Sequence, residues 1–351
     1  MNSVNRESPD IMGIAMLPPP PRQTANPAPV RPARSVRRSC SIDIAWPEGP
    51  QGDRLVIGRA RDYLTPSAGH PGKLLAQARM QATLAEDKTI LSISASPEPD
   101  RLQELVGKRA GGHLRLALGE IMPGLIEQGA PLYLALDDIS GTALVSPFAW
   151  SQWHPDWVEY IRASMPQEEI DRMRAARVNV CWGLQEGNSG VGAEDEIEIA
   201  ADADAGDLRN PEDPEGWHDL PDQEGPGFRR ARRIDVTRDE AAGVIRIDAA
   251  FQDSATRMQE GRIAIHEYRL VATADMNTLE LLTLEPEARI LPYPECPGAV
   301  GNTQRLIGLP IADIRANVLT QLRGPQGCTH LNDALRALAE VPKLAAYLEG
   351  V

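Results

Sequence analysis

An internal duplication is the feature that most constrains how this chain can fold. The motif Arg-Arg-x-x-x-Ile-Asp occurs at residues 37–43 and again at residues 229–235. Two further blocks recur in the same order: residues 82–97 match residues 272–286, and residues 102–107 match residues 303–308. These collinear matches predict two similar folding units about a pseudo-twofold axis, the single-chain version of an isologous dimer.

Each unit is predicted to be an antiparallel sheet followed by helices, which is an α+β arrangement. Alternating apolar and polar residues predict strands, and turn residues between two of them predict a hairpin. In the first unit the predicted strands are 40–46, 53–64, 76–84 and 89–95, followed by helices at about 100–107 and 113–126. In the second unit they are 234–236, 244–251, 262–274 and 279–284, followed by helices at about 298–308, 311–322 and 329–338.

Four regions follow from this pattern. Residues 1–34 are predicted to be a disordered tail rich in proline and arginine, and residues 35–147 form the first unit. Residues 148–228 contain a Trp-rich helix and an acidic linker whose composition favours disorder, and residues 229–351 form the second unit. Trp150, Trp153 and Trp157 have the spacing of one helix face, which either packs on the core or forms an aromatic lid over an apolar substrate.

Composition excludes several classes of function. The 351-residue chain has a net charge of −14, and residues 194–224, with thirteen acidic residues and one arginine, supply −12 of it. The remainder is nearly neutral and lacks the concentrated basic face that nucleic acids require; the Arg-Arg pairs are interpreted as solvated. No apolar run approaches the ~20 residues of a membrane span. Without an export signal, the four cysteines are predicted to be reduced thiols in the cytoplasm.

Cys328 and His330 of the second unit have no thiol or imidazole counterpart in the first, where the corresponding positions are about Ala130 and Leu132. Cys296 lies ahead of a predicted helix, and Cys328 and His330 open the last one. At such junctions the helix dipole favours thiolate, so the three residues are candidate ligands for Zn or Fe, with Asp253 or Glu260 as the fourth. Buried, inert cysteines are the alternative. No nucleotide-binding loop is present, so no nucleotide cofactor is expected.

Three adjacent residues of a predicted strand are candidate catalytic groups: His266, Glu267 and Tyr268. A histidine beside a metal site can act as a general base, whereas a hydrogen-bonded cross-strand pair is the structural alternative. Asp253 has a counterpart in the first unit, Asp62, which favours a structural task that both units share.

Two resemblances follow from these motifs. Residues 260–331, with a hairpin, a Cys-Pro-Gly-Ala turn at 296–299 and Cys328 at the last helix, resemble the iron–sulfur scaffold (NifU/IscU) family, although Leu309 replaces that family's lysine. Nearly the whole chain also resembles the bacterial family called domain of unknown function 2889, through Phe251-Gln252-Asp253-Ser254, His266-Glu267-Tyr268, Glu295-Cys296-Pro297 and residues 328–333. The first resemblance implies the fold of each unit, and the second implies no reaction.

The predicted function is catalysis on a small, mostly apolar organic molecule at the Cys/His site. The preferred reaction is a retro-aldol-type carbon–carbon cleavage that releases a small aldehyde, with an aromatic compound as the suggested substrate. This lyase prediction belongs to aromatic compound catabolism, an association that only the second resemblance suggests. A metal-dependent hydrolase and a non-enzymatic iron–sulfur scaffold or sulfur acceptor are the alternatives, and the oligomeric state is left open.

Overall fold

A computed structural model describes residues 23–67, 71–191 and 203–350. In these ranges the chain is a mixed α and β structure built on one antiparallel sheet, with strand order β4-β3-β2-β1-β6-β7-β8 and with β5 and β9 both paired to β8. The strands are β1 Ser35–Ala45, β2 Arg54–Thr65, β3 Lys73–Leu84, β4 Ile90–Ser96, β5 Ala203–Asp204, β6 Gly227–Asp239, β7 Val244–Thr256, β8 Arg262–Asp275 and β9 Leu281–Ile290.

Helices follow each group of strands, as the sequence predicts. The α-helices are α1 Leu114–Ile121, α2 Pro123–Glu127, α3 Pro131–Val145, α4 Phe148–Trp153, α5 Trp157–Ser164, α6 Gln167–Arg177, α7 Ile314–Gln321, α8 Thr329–Ala337 and α9 Val341–Ala346. The 3-10 helices of the described ranges are Leu102–Leu105, Trp182–Leu184, Ser189–Val191, Cys296–Leu306, Ile311–Asp313, Gly324–Gln326 and Leu338–Glu340. No helix within the described residues has both the length and the apolarity that a membrane crossing requires.

The two predicted units share this sheet because β1 pairs with β6 along its whole length. Their antiparallel register joins the repeated motifs reciprocally: Arg37 lies opposite Asp235, and Asp43 lies opposite Arg229. Both pairs are buried ion pairs, with Nε–O distances of 2.5 Å and 2.6 Å respectively. The sheet therefore continues without a break through the junction of the two units.

Helices cover one side of the sheet, which we call the helix face; in β1 it carries Arg38, Cys40 and Ile42. Helix α3 packs on β1, β2 and β3, α8 packs on β7 and β8, and α9 packs on β1 and β6. The apolar side chains between these helices and the sheet form the main core. Trp150 belongs to that core and contacts Trp46 edge-on, which favours the packing interpretation of the tryptophan spacing.

Two extended segments, residues 23–34 and 203–224, cover the centre of the other side, which we call the opposite face. Arg31 binds Asp213 through both carboxylate oxygens, at 2.6 Å and 2.9 Å. Ala28, Trp217 and Leu220 form a small apolar cluster with Ala231 of β6. Each ring nitrogen of His218 forms a 2.8 Å hydrogen bond, Nδ1 with the Ser39 hydroxyl and Nε2 with the Ser41 hydroxyl.

This packing corrects the predicted disorder for residues 23–34 and 203–224. Arg31 of one segment pairs with Asp213 of the other, and the few apolar side chains of the segments pack on the sheet. These contacts order both segments despite their high charge. Residues 1–22 of the predicted tail and residues 192–202 of the acidic linker lie outside the described residues.

Candidate functional site

Two neighbouring strands place an aspartate beside a histidine on the helix face. Asp253 of β7 and His266 of β8 are cross-strand partners at a register shift. The His266 Nδ1 atom lies 3.2 Å from the Asp253 Oδ2 atom, and both side chains are buried. This hydrogen bond fixes the orientation of the His266 ring.

Helix α8 adds a second imidazole. His330, in the first turn of α8, stacks on His266 with ring centroids 3.4 Å apart and an interplanar angle of 17°. Burial lowers the pKa of His330 well below its usual value, and the neighbouring His266 lowers it further. Burial also lowers the pKa of His266, although Asp253 opposes this effect. Both rings are therefore neutral near pH 7.

Asp253, His266 and His330 lie close enough together to be candidate ligands of one metal ion. One ligand atom from each residue lies within 4.8 Å of the others, and no other set of three or more His, Cys, Asp or Glu side chains meets this condition in the described ranges. Two imidazoles and a carboxylate are ligands that suit Zn and Fe(II). Asp253 and His266 are buried, whereas His330 is partly exposed.

A buried arginine holds the carboxylate of this set. Arg230 of β6 donates from Nε and Nη2 to the two oxygens of Asp253, at 2.8 Å and 2.9 Å. Burial alone would raise the pKa of Asp253, but Arg230 and the hydrogen bond from His266 outweigh it and lower the pKa far below the usual range. Asp253 is therefore ionised and oriented before any ligand binds.

Arg230 belongs to a larger buried ion network between the sheet and the helices. Its Nη1 atom lies 3.1 Å from Asp333 of α8 and 3.6 Å from Asp138 of α3. Arg232 binds Asp138 and Arg115 binds Asp333, at 2.6 Å and 2.5 Å. Because both helices are tied to the same arginine, the network fixes the position of α8 and hence of His330.

The predicted thiolates are neutral thiols in a separate cluster. Cys328 immediately precedes α8 and Cys296 begins the 3-10 helix Cys296–Leu306, as the sequence predicts, but both are buried. Burial raises the pKa of Cys328 to about 11, and burial together with Cys328 and Cys181 raises the pKa of Cys296 further. The cost of desolvating a charged sulfur exceeds the stabilisation that a helix N-terminus provides, which is why the predicted direction of the shift is wrong.

The structure thus divides the predicted site residues into three groups. Asp253, His266 and His330 come together, whereas Cys296 and Cys328 are outside this ligand set and lie near Tyr268, whose pKa burial and Cys328 raise. The Tyr268 hydroxyl is buried and has no hydrogen bond of normal geometry within the described residues.

Glu267 and Glu260 are elsewhere. Glu267 lies on the opposite face, where it accepts a 2.7 Å hydrogen bond from Gln252 and another from the Ala25 backbone N–H. A strand residue between His266 and Tyr268 has to point away from both, so Glu267 cannot act in the same site. Glu260 is exposed in the turn before β8.

Sequence reasoning missed the residues that support the site. The sequence predicts solvated Arg-Arg pairs, but Arg37, Arg38 and Arg230 are almost fully buried in ion pairs. A signal was available: in both units the second arginine of the pair is followed 23 or 24 residues later by the aspartate that binds it, Asp62 or Asp253. The role shared by these aspartates is therefore to pair a buried arginine.

The match to a known protein family lies in the second unit. No curated protein and no solved structure matches the chain significantly. A family model described as "Protein of unknown function (DUF2889)" matches residues 228–343, a segment that contains Arg230, Asp253, His266, Cys328 and His330. In this segment, which carries the complete candidate site, the chain is similar to the DUF2889 family.

Proposed function

We propose that this protein is an enzyme that acts on a small organic molecule and uses a divalent transition-metal ion held by Asp253, His266 and His330. The convergence of two neutral imidazoles on one ionised carboxylate is the observation that carries the proposal. Neutral imidazole and ionised carboxylate are the protonation states that bind metal, so loading would require little loss of protons. His330 is the partly exposed member of the set.

The reaction that we favour is the retro-aldol cleavage of a β-hydroxy carbonyl compound, a lyase reaction. A base takes the proton of the hydroxyl group, the carbon–carbon bond breaks, and its electron pair moves onto the carbonyl to form an enolate. An aldehyde leaves, and the proton returns to the enolate carbon. Because Asp253, His266 and His330 would hold the ion, none of them is free to take this proton, which passes to solvent. Arg230 keeps Asp253 in place, and Asp253 in turn fixes His266.

A bound metal ion would supply positive charge to stabilise the enolate oxygen. The same ligands could serve a metal-dependent hydrolase, and identification of the product distinguishes these two reactions. The buried, neutral thiols argue against the iron–sulfur scaffold, which needs accessible thiolates to receive iron and sulfide.

Two further parts of the proposal concern origin and location. The reciprocal pairs Arg37–Asp235 and Arg229–Asp43 support descent of the two halves from one duplicated unit. Four free cysteines support a reducing compartment such as the cytoplasm. A role in the breakdown of aromatic compounds rests on sequence resemblance alone.

Metal binding is the first test. Purified protein is expected to retain Zn or Fe in elemental analysis, and the apo-protein is expected to bind Co(II) with the visible absorption bands of a protein-bound ion. His330→Ala removes one of three protein ligands and should abolish both signals, whereas His113→Ala, a change at an exposed histidine, should leave them intact.

Circular dichroism must give matching spectra for both variants, so that loss of metal is not confused with loss of fold. A wild-type protein that binds neither Zn, Fe nor Co(II) would contradict the metal site. A brown preparation that contains acid-labile sulfide would instead support the scaffold.

Activity is tested in cells that grow on aromatic carbon sources. Cells with His330→Ala are expected to accumulate a compound that wild-type cells consume, and incubation of that compound with purified wild-type protein should release an aldehyde. Release of an acid and an alcohol instead would assign the hydrolase. Identical metabolites in the two strains would count against the enzyme.

A further inference from the structure

A cavity of about 660 Å³ lies among elements of the first unit, with α9 of the second unit as one wall. It is bounded by β3, the segment after β4, the turn from α1 to α3, and α9. Its volume is within the range of sites for small organic ligands. Residues that form its walls include Ala76, Ala78, Pro97, Ala130, Leu132 and Lys343.

The cavity is at the position in the first unit that the candidate site has in the second. With Ala82-Thr83 aligned to Ala272-Thr273, Ala76 and Ala78 fall opposite His266 and Tyr268. In the alignment of the later helices, Ala130 and Leu132 fall opposite Cys328 and His330. Small or aliphatic residues thus replace the imidazole, phenol and thiol groups, and space remains where the second unit has side chains.

The ion pair beneath this position is kept in both units. Arg38 binds Asp62 through two hydrogen bonds of 2.6 Å, as Arg230 binds Asp253, and it also donates to the Gly129 carbonyl in the cavity wall. Glu340 accepts further hydrogen bonds from Arg38 and Arg315. The first unit therefore keeps the buried arginine–aspartate pair but lacks the two histidines. Such a site is suited to binding a ligand, not to catalysis.

The charged groups at the cavity are not equally available. Arg101 is engaged by Glu104 and by the Ile121 carbonyl. Lys343 of α9 lies 5.0 Å over the Tyr347 ring and has no ion pair with a carboxylate in the described part of the chain. Glu98 and Asp100 are exposed on the opposite wall, in the segment after β4. Lys343 can therefore receive an acidic group of a ligand whose apolar part faces the alanine wall.

We propose that this cavity is a non-catalytic binding site for a small aromatic carboxylate, with the ring between β3 and the turn before α3 and the carboxylate at Lys343. The ring would contact Ala76 and Leu132. Burial of the ring's apolar surface favours binding, and so does the charge-assisted contact between the carboxylate and Lys343.

Calorimetric titration of the full chain tests this site, with 2-naphthoate as the probe and neutral 2-naphthalenemethanol as its matched control. Wild-type protein is expected to bind 2-naphthoate saturably and the alcohol more weakly. Lys343→Gln should weaken 2-naphthoate binding about tenfold and leave the alcohol unchanged, because only the charged contact is lost. Lys73→Gln, at an exposed lysine outside the cavity, should change neither.

A second variant tests the position of the ring. Ala76→Trp fills the cavity and should abolish binding of both probes, whereas Gln81→Trp on the exposed side of the same strand should bind as the wild type does. His330→Ala should also bind 2-naphthoate normally, so this inference and the metal proposal fail separately. Absence of saturable binding, or equal affinity of wild type and folded Ala76→Trp protein, would overturn the inference.

Discussion

Substitution of Arg230 by methionine is expected to lower the free energy of unfolding by about 3–5 kcal/mol, the cost of breaking a buried ion pair from one side. Arg230 is 1% exposed and faces three carboxylates, those of Asp253, Asp138 and Asp333. Without the guanidinium group, Asp253 would remain in the core with His266 as its only hydrogen-bond partner among these contacts. Urea denaturation followed by circular dichroism measures the loss.

An exposed ion pair provides the matched control. Arg101 and Glu104 are about half exposed, and Arg101 also donates to the Ile121 carbonyl. Because solvent screens such an exposed pair, Arg101→Met should shift the urea midpoint only slightly. In the double variant Arg230→Met with Asp253→Leu, part of the lost stability should return, because the uncompensated charge is removed as well. An Arg230→Met protein as stable as wild type would mean that the ion network contributes little to the fold.

Acidification from pH 6.5 to pH 5 is expected to destabilise the protein steeply. Burial lowers the pKa of His218 to about 3, with help from nearby arginines, and burial also lowers the pKa values of His266 and His330. Below the unfolded value of 6.5 the unfolded chain binds more protons than the folded chain, so stability falls as the pH falls. Each histidine contributes a slope of up to about 1.4 kcal/mol per pH unit in this window.

Between pH 6.5 and pH 5 the change in stability comes mainly from the histidines. Asp253 and Asp333 lose their contribution only below the unfolded value of 3.8, and Glu267, whose pKa burial raises, acts in the opposite direction as a single group. Urea unfolding at several pH values, with a chelator present, gives the slope. His218→Gln should reduce it by about one third, and His154→Gln, a change at an exposed histidine, should not alter it. A flat profile would mean that these histidines are protonated in the folded protein.

Local patterns were sufficient to predict most strands and several helices. The hairpin at 76–95 and the helix at 329–338 agree closely with β3, β4 and α8, because alternation and turn residues act over a few positions. Helix α3 was missed because it is buried on nearly all sides and has no polar face to give it a helical period. The pairing of β1 with β6 joins residues about 200 positions apart, and no local signal specifies such a pair.

The sequence predicts the residue types of the site but not their arrangement in space. His266, His330 and Asp253 were candidates on the basis of residue type, but their separation from Cys296 and Cys328 depends on how α8 packs on the sheet. Burial, which no short motif reports, also decides that the thiols are neutral. The paired arginines were visible in the sequence, yet their role follows only once Asp62 and Asp253 are known to lie beside them.

The β1–β6 pairing also has a consequence for biosynthesis. Strand β1 emerges from the ribosome long before its partner, and at typical rates of translation a gap of roughly 200 residues lasts roughly 10–40 s. During that interval the first four strands present an uncovered edge of eleven residues, a template for pairing with other nascent chains. Pairing between unfinished copies therefore competes with correct folding until β6 has been made.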